Sequence, residues 1–413
     1  MEKKQFFTLD DFNFKGKTTL VRVDINAPFD AKTGLQDSKR FAEHAITLKE
    51  LSKKGARVVV LAHQGRPFST DFISLKTHAS YLEKHVNRPV RFLDGLFSNT
   101  VLNEIRQMND GDIVLLENTR FYSEETEKVP REDQFLKALM VKRLCSIADF
   151  YVNDAFSASH RMQASLVGPA FLLPSAAGRV MERELAGLSK ALETAEHPNV
   201  YVLGGAKPDD VFTLLQFACS SKAVDKILTS GVLGELCLLA KGYDIGPTKR
   251  QWIRDAGYDA LLPELQSLME KHSSKIEFPQ DVAIGENGAR KEFRVTDLAQ
   301  ANGPTYDIGA KTIARYQSIL STAKTIYFKG PVGKFEDPLF EQGTREILKA
   351  VSSSKAFSLM GGGHSLAAME KFSIPSSKIS HLSLAGGAVV SYLQGKKLPG
   401  VEALKQAFRK TQK

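Results

Sequence analysis

The sequence has few cysteines, the residues that form disulfide bonds and most structural zinc sites. It contains three cysteines in 413 residues, and none stands in a Cys-x-x-Cys pair. The sequence therefore predicts neither a disulfide framework nor a structural zinc site, and it fits a reducing cytoplasm. The chain also has a single tryptophan, and its other aromatic residues are dispersed.

Long apolar runs are missing as well. No apolar segment approaches the roughly 18 residues that are needed to span a bilayer. The first residues, MEKKQFFTLDDF, lack the apolar core of a secretory signal. We therefore expect a cytoplasmic protein with no membrane partner.

Basic residues are in modest excess, and they are not concentrated in blocks. The chain carries 56 basic and 47 acidic residues, which gives a formal net charge of +9. This balance favours anionic ligands. Because no Lys/Arg-rich block with interleaved aromatic residues is present, we expect no nucleic-acid partner.

Short apolar strands alternate with helical patterns through most of the chain. Examples are ARVVVLA and DIVLLEN in the first half, and NVYVLGG and TIYFKG in the second. In one helical pattern, Phe41, Ala45, Leu48 and Leu51 share a face, and Gly55 supplies a stop. This alternation predicts an α/β fold with parallel sheets that are covered on both faces, and the length favours two such lobes.

The alternation is interrupted near the middle of the chain. Pro169 and Pro174 punctuate a loop, a helical pattern then runs from about Ala176 to Ala195, and Pro198 ends it. We predict a long connecting helix over 175–197 between the lobes 1–174 and 198–390. A hinge is expected near Pro174 and Ser175, at the start of this helix.

Polar and basic residues follow the strands of the first half. Asp24 and Asn26 end the strand VRVDINAP, and the basic residues at the other loops are Arg40, His63, Arg66, Arg120, His160 and Arg161. Taken singly, each fits a solvated surface charge. Because the carboxyl ends of parallel strands meet at one edge of the sheet, these polar and basic side chains would lie together. Clustered arginines predict a site for a phosphorylated or carboxylated small molecule, since the anion would offset their repulsion.

Glycine-rich turns follow the strands of the second half. Gly204, Gly205 and Lys207 come after NVYVL, the sequence GPVGKFE contains Glu336, and GGGHS and AGGA end two later strands. One glycine pair needs no more than a turn to explain it. Several of them beside a lysine predict a phosphate-binding cradle, because glycine lets backbone N–H groups approach an anion closely.

These motifs together resemble the phosphoglycerate kinase family, and the variant forms GGGH and KGP are similar to those of its archaeal members. The segments in the family's order and spacing are VRVDINAP, AHQGRP, LLENTRF, YVNDAFSASHR, LGGAK, DIGAKT, KGPVGKFEDPLFEQGT, GGGHS and LPGVEAL. The resemblance implies a two-lobed glycolytic and gluconeogenic enzyme. It would reversibly transfer the acyl phosphate of 1,3-bisphosphoglycerate to ADP with Mg²⁺, giving 3-phosphoglycerate and ATP.

The resemblance also implies roles for single residues. The first lobe would bind 3-phosphoglycerate through Asp24, Asn26, Arg40, His63, Arg66, Arg120 and Arg161, with His160 beside them. The second lobe would bind the nucleotide through Gly205, Lys207, Pro331, Glu336, Gly361, Gly362, Gly363, His364 and Ser365, with Glu336 at the ribose hydroxyls. Arg40 and Lys207 would act on the transferring phosphoryl group, assisted by backbone near Gly363 and Gly386. Residues 391–413 would return to the first lobe.

The chain departs from the commoner family pattern at several positions. Val211 stands where a second lysine is usual, Lys329 where asparagine is usual, and Ala385 where a third glycine is usual. His364 replaces the aspartate that helps to hold the nucleotide's Mg²⁺. Because Mg²⁺ prefers oxygen ligands, His364 would at most bond a phosphate or a metal-bound water, or it is simply tolerated at an exposed turn.

Two other functions fit the same motifs. One is a kinase of this fold that acts on a different phosphorylated acid, and the other is a non-catalytic nucleotide- or polyanion-binding relative. The sequence favours the enzyme, because the arginines of the first lobe are all present. We expect a monomer or a weak homodimer.

Overall fold

The computed structural model describes residues 4–301 and 303–411, without the side chain of Asp210. The chain forms two compact units. Unit 1 comprises Met1–Leu185 with Lys396–Lys413, and unit 2 comprises Ala186–Gly395.

Unit 1 contains a seven-stranded sheet, in the order β1-β9-β8-β2-β5-β7-β6, in which all paired strands are parallel. A small antiparallel pair, β3 with β4, accompanies it. The strands of this unit are β1 Phe7–Thr8, β2 Thr18–Arg22, β3 Phe29–Asp30, β4 Gly34–Leu35, β5 Arg57–Leu61, β6 Val90–Leu93, β7 Ile113–Leu116, β8 Phe150–Asn153 and β9 Ser175–Ala177. Its first helices are α1 Lys39–Lys53, α2 Lys76–Val86, α3 Asn99–Arg106, α4 Ser123–Thr126, α5 Leu139–Cys145 and α6 Ala164–Leu172.

The sheet of unit 1 is buried on both faces. Along β5, Val58 and Val60 belong to one hydrophobic cluster, and Val59 and Leu61 belong to the other. Successive side chains of a strand point to opposite faces, so a continuous run of valine and leucine is what a doubly covered strand requires. This confirms the prediction of an α/β fold with parallel sheets.

Helix α1 covers one of these faces. The predicted stripe of Phe41, Ala45, Leu48 and Leu51 is buried, as the 3.6-residue period requires. Gly55 follows the helix with a positive φ of 79°, where it provides the stop that the sequence predicts.

Unit 2 is built on a six-stranded parallel sheet in the order β12-β11-β10-β16-β17-β18, beside a three-stranded antiparallel sheet in the order β14-β13-β15. Its strands are β10 Asn199–Leu203, β11 Lys226–Thr229, β12 Ile276–Glu277, β13 Asp281–Glu286, β14 Ala289–Arg294, β15 Thr305–Ile308, β16 Thr325–Lys329, β17 Phe357–Gly361 and β18 His381–Ser383. The helices from the unit boundary onwards are α7 Arg179–Leu192, α8 Pro208–Ser220, α9 Gly231–Ala240, α10 Pro247–Asp255, α11 Leu262–Lys271, α12 Ala310–Thr322, α13 Gln342–Ser353, α14 Gly363–Lys371 and α15 Gly386–Leu393.

The segment around residue 175 differs from the sequence prediction. Ser175–Ala177 form strand β9 and pair with Tyr151–Asn153, so helix α7 begins only at Arg179. All three residues are buried, and pairing with an existing strand outweighs the helix preference of alanine. The Pro174 carbonyl accepts the Tyr151 N–H at 3.0 Å, which argues against a hinge at this point.

The unit boundaries also lie elsewhere than the predicted domain limits. The chain passes between units at Leu185 and Ala186, within α7, and again at Gly395 and Lys396. The last helix, α16 Pro399–Thr411, belongs to unit 1. There the Phe408 ring lies 4.8 Å from the ring of Phe7.

No helix within residues 4–301 and 303–411 combines the length and the apolarity that crossing a bilayer would need.

A buried ion pair lies between β2 and α4 in unit 1. Arg22 and Glu125 are both inaccessible to solvent, with Arg22 Nη2 3.7 Å from Glu125 Oε1. The Ser165 hydroxyl accepts from Arg22 Nε at 2.8 Å and donates to Glu125 Oε1 at 2.7 Å. Since removal of one partner of a buried pair leaves an uncompensated charge, Glu125 is what allows a guanidinium group at this depth.

The variant Glu125→Gln keeps the side-chain shape and removes the charge that faces Arg22. We expect it to lower the free energy of unfolding by roughly 3 kcal/mol or more. Thermal unfolding by calorimetry measures the effect, with Glu127→Gln on the exposed turn after α4 as the matched control. If both variants unfold at the same temperature, the pair does not have this role.

Candidate functional site

Asp24 lies just beyond the end of β2 and is buried. Its Oδ2 contacts Arg40 Nη1 and the Ser157 hydroxyl. Arg40 is placed by the start of α1, where the Ser38 hydroxyl caps the helix by accepting the Arg40 N–H at 3.3 Å. Burial opposes ionisation of Asp24, but the charge of Arg40 and the hydrogen bond from Ser157 outweigh it and hold the pKa of Asp24 well below its usual range.

His63 follows β5 and lies between two guanidinium groups. Its Nδ1 is 2.9 Å from Arg22 Nη2, and its Nε2 is 3.4 Å from Arg161 Nη1. Burial and the charge of Arg22 lower the pKa of His63 well below its ordinary value, so the ring is neutral. A neutral imidazole carries one N–H, and guanidinium groups only donate. In either tautomer, one ring N–H therefore faces another donor.

Arg120 is held against the turn that follows His63. Its Nη1 contacts the Gly65 carbonyl, and the Gly65 N–H donates to Asn26 Oδ1 at 2.9 Å. Gly65 has a φ of 65°, and a Cβ there would lie 2.4 Å from the Asp71 carbonyl oxygen, so this turn requires glycine. Burial, followed by Arg161 and Arg22, lowers the pKa of Arg120 to about 10.

The remaining predicted residues of the first half join this cluster. Burial lowers the pKa of Arg161. The charges of Arg66 and Arg22 lower it further, and the charge of Asp24 raises it. Burial and Arg161 lower the pKa of the half-buried His160. The structure thus brings together all eight residues that the sequence predicts for the substrate site: Asp24, Asn26, Arg40, His63, Arg66, Arg120, His160 and Arg161.

We call this group with Arg22 the cationic cluster of unit 1. Its depressed arginine and histidine pKa values have one cause in common, which is burial beside like charges. An anion placed among these groups would relieve the repulsion and accept their N–H donors. The arrangement is suited to a phosphate or a carboxylate.

Unit 2 contains a cavity of about 740 Å³. Its lining includes the residues that follow β10, β11, β16 and β17, so it opens at the carboxyl ends of neighbouring parallel strands. Part of the remaining lining is apolar and suits a flat ring, with Val232, Trp252, Pro279 and Val282. The volume lies within the range of small-molecule and cofactor sites, about 300–1,000 Å³.

The loop after β17 forms one wall of the cavity. Gly362 caps α14 with a φ of 98°, and the helix begins at Gly363. The Ser365 hydroxyl accepts the Gly330 N–H at 3.1 Å, which ties this loop to the turn after β16. The first N–H groups of a helix have no partner within it, so they are available to an anion. His364 is exposed in this first turn.

Lysines line the cavity at several points. Lys207 is exposed at the N-cap of α8. Lys249 is buried beside Glu235, with an Nζ to Oε2 distance of 2.9 Å, and its Nζ lies 4.3 Å from the centre of the Trp252 ring. Lys329, at the end of β16, also lines the cavity.

The carboxylates that line the cavity are paired, buried or exposed singly. Glu235 is paired with Lys249, and burial raises the pKa of Asp307 to about 6, although Arg290 and backbone N–H groups also contact it. Glu336 is exposed. Among the residues that the structure describes, no three His, Cys, Asp or Glu side chains come together as a metal-binding group.

The cavity collects every residue that the sequence predicts to contact the nucleotide: Gly205, Lys207, Pro331, Glu336, Gly361, Gly362, Gly363, His364 and Ser365. Gly386 differs from them. It begins α15, and it is not part of the cavity lining.

Sequence reasoning missed several contributors to both sites. Arg22 was left out, although it alternates with Asp24 and Asn26, and this period of two was the available signal. The pair of Glu235 and Lys249 comes from two helices with no motif of their own. Their meeting depends on helix packing, which no local pattern encodes.

Comparison with known proteins identifies the family of this chain. Residues 9–396 match the family model for phosphoglycerate kinase. The phosphoglycerate kinase of Methanobacterium bryantii is 44% identical over 409 residues, covering 99% of both chains. That of Methanothermus fervidus is 43% identical over 410 residues, again covering 99% of both.

Solved structures show the same relationship. The crystal structure of phosphoglycerate kinase from Pyrococcus horikoshii OT3 has a TM-score of 0.87 and 34% identity, covering 98% of this chain and 100% of that one. The structure of phosphoglycerate kinase from Coxiella burnetii has a TM-score of 0.83 and 30% identity, covering 97% of this chain and 99% of that one. On this evidence, the chain belongs to the phosphoglycerate kinase family.

Proposed function

We propose that this protein reversibly transfers a phosphoryl group between 1,3-bisphosphoglycerate and ADP, giving 3-phosphoglycerate and ATP. Family membership over nearly the whole chain supports the reaction. The observation that carries the proposal is that unit 1 has a cluster of buried cationic side chains and unit 2 has a cavity lined by glycine-rich turns. The cationic cluster of unit 1 suits a phosphorylated acid, and the cavity of unit 2 suits a nucleotide.

The chemistry needs no nucleophilic side chain. In the direction of ATP synthesis, a β-phosphate oxygen of ADP attacks the phosphorus of the acyl phosphate. The bond from that phosphorus to the carboxyl oxygen breaks, and 3-phosphoglycerate leaves as a carboxylate. The protein has to align the two substrates and neutralise the charge on the group in transfer.

In unit 1, we assign the non-reacting phosphate to Arg66, Arg120 and Arg161, with His63 and His160 beside them. Burial beside like charges lowers the pKa of Arg120 and of Arg161, and a phosphate bound between them would relieve this repulsion. Asp24 and Asn26 would bind the hydroxyl and carboxyl end of the substrate. Arg40, which contacts Asp24, would reach the transferring phosphoryl group.

In unit 2, we assign the phosphate chain to the glycine turns and to Lys207. The loop of Gly361–Ser365 would donate backbone N–H groups, while Gly205 and Pro331 would line the path of the chain and Glu336 would bind the ribose. Mg²⁺ would enter as part of the nucleotide complex, held by phosphate oxygens and water, because His364 is a poor ligand for it. His364 would at most donate a hydrogen bond from its exposed turn.

A coupled assay with MgATP and 3-phosphoglycerate tests the function, and Lys207→Ala tests the main catalytic role. We expect the wild type to turn over, and the variant to lose about a hundredfold or more in kcat, because one transition-state donor is gone. Calorimetric binding of 3-phosphoglycerate should be unchanged in the variant. Lys222→Ala, an exposed lysine in the turn after α8, is the control. Turnover near the wild-type rate in Lys207→Ala would refute the assignment.

Since the two proposed sites belong to different units, transfer requires that they come together. We propose that binding of both ligands brings about this closure through the segments at residues 185–186 and 395–396, where the chain passes between units. Gly395 has a φ of 69°, a conformation in which glycine absorbs backbone change without strain.

Small-angle X-ray scattering tests this closure. We expect the radius of gyration to fall when 3-phosphoglycerate and MgADP are both present, and to change less with either ligand alone. If the scattering curves are identical with and without both ligands, the closure does not occur.

A further inference from the structure

We propose that Glu235 selects the base of the nucleotide by accepting a hydrogen bond from the 6-amino group of adenine. Lys249 acts as the positioning residue that holds this carboxylate. The inference rests on the proposed function and extends it, because it assigns base specificity to the cavity of unit 2.

Glu235 lies about one helical turn away from the glycine turns of the cavity. Helix α9 begins at Gly231, and the Val232 N–H donates to the Gly205 carbonyl at 3.1 Å, so the start of the helix is fixed against the turn after β10. Val232 and Glu235 are three residues apart, so they share a face of α9, and both line the cavity. Because a helix rises about 1.5 Å per residue, Glu235 is displaced from the turns that would bind phosphates.

Apolar groups line the cavity around Glu235. A Cβ added to Gly234 would lie 3.2 Å from Pro279 Cγ, so α9 packs closely against the segment before β13. The apolar lining on this side includes Val232, Trp252 and Pro279. An apolar wall with a few polar groups suits a flat heteroaromatic ring. The base is the flat part of a nucleotide, and the phosphates and ribose are assigned to other parts of the lining.

Glu235 and Lys249 form a charged pair in these apolar surroundings. Lys249 Nζ lies 2.9 Å from Glu235 Oε2 and 4.3 Å from the centre of the Trp252 ring. Lys249 is only 8% exposed and Glu235 only 5%. A buried pair adds little net stability, because the loss of hydration offsets the attraction between the charges. The stability of the fold alone therefore does not account for the pair.

The carboxylate of Glu235 has hydrogen-bonding capacity that the protein does not use. Within residues 4–301 and 303–411, Lys249 is the one partner that the structure shows for it. The two oxygens of a carboxylate offer about four acceptor sites. Burial, only partly opposed by Lys249, raises the pKa of Glu235. An N–H donor in the cavity would stabilise the ionised carboxylate, since polar groups at this depth normally have hydrogen-bond partners.

The edge of adenine complements this pair. Its 6-amino group is a hydrogen-bond donor, and the ring nitrogens beside that group are acceptors. A carboxylate only accepts hydrogen bonds, and an ammonium group only donates them. Glu235 would accept from the amino group, while Lys249 would keep the carboxylate ionised and in place. Hypoxanthine has a carbonyl at the same ring position, so two acceptors would face each other.

The test compares MgATP with MgITP, in which a carbonyl replaces the 6-amino group. In the coupled assay with 3-phosphoglycerate, we expect the kcat/KM of the wild type to favour ATP by about tenfold or more. Glu235→Gln should reduce this preference at least about fivefold, because its amide N–H can donate to the carbonyl. Glu270→Gln, at an exposed position of α11, is the matched control and should keep the wild-type preference.

A second variant separates base selection from stability. Glu235→Gln leaves Lys249 buried without its counter-charge, so the double variant Glu235→Gln with Lys249→Met is measured beside it. Both charges are absent from the double variant. We expect it to unfold near the wild-type temperature, with the preference for ATP still reduced.

A purely structural role of the pair would change turnover with both nucleotides alike. The inference is overturned if the ATP/ITP ratio is unchanged in both variants, or if the wild type uses ATP and ITP equally well.

If the wild type turns over with neither nucleotide, the proposed function fails, and calorimetry then decides base selection. The Kd for MgIDP should exceed that for MgADP by about tenfold or more in the wild type, and by at least about fivefold less in Glu235→Gln. Equal Kd values in the wild type would refute the role of Glu235.

Discussion

The mutual repulsion of buried cations in unit 1 is the constraint on which the proposed substrate site depends. His63 lies between Arg22 and Arg161, and Arg120 is close enough to both arginines for its pKa to fall. Two carboxylates of the protein offset part of this repulsion. Glu125 faces Arg22, and Asp24 faces Arg40. Asp24 and Glu125 also act on Arg161 and Arg120, but burial and the neighbouring arginines outweigh them, so a bound anion would balance the remaining positive charge.

A different chemistry is found in unit 2, where glycine-rich turns after β10, β16 and β17 line the cavity. Helix α14 begins at the last of these turns, and the N–H groups of its first turn have no partner within the helix. The two units would therefore bind anions in different ways. Guanidinium forks would define the position of a phosphorylated acid, whereas glycine turns with a lysine would follow a phosphoryl group as it moves.

Much of this could be predicted from the sequence, because a parallel sheet collects the ends of its strands at one edge. Asp24, His63, Arg120 and Arg161 follow different strands, and they meet for that reason alone. The structure departs from prediction where tertiary pairing decides. Ser175–Ala177 became a strand because a neighbouring edge was available, although alanine favours a helix.

Two other features of the structure were not predicted from the sequence, and each has a local cause. The antiparallel hairpin of β13 and β14 was not predicted, although its turn contains Asn287 and Gly288, both with positive φ. Asn-Gly is a strong signal for such a turn, but two adjacent strands do not follow the alternation of helix and strand that dominates the chain. Arg22 was left out of the predicted site, although it shares a strand face with Asp24 and Asn26. A fully buried arginine is rare, and the position of Glu125, which no local pattern predicts, makes it possible.

The account is tested most directly by the pKa of His63, measured by NMR with and without 3-phosphoglycerate. In the free protein, burial and the neighbouring arginines should hold this pKa well below 6.5, the ordinary value. A bound phosphate should raise it by about one unit or more, because it adds negative charge beside the ring. His78, whose pKa burial lowers to about 4, is the internal control and should not move. A His63 pKa that is the same in both states would contradict the claim that the cationic cluster is built to hold the substrate's phosphate.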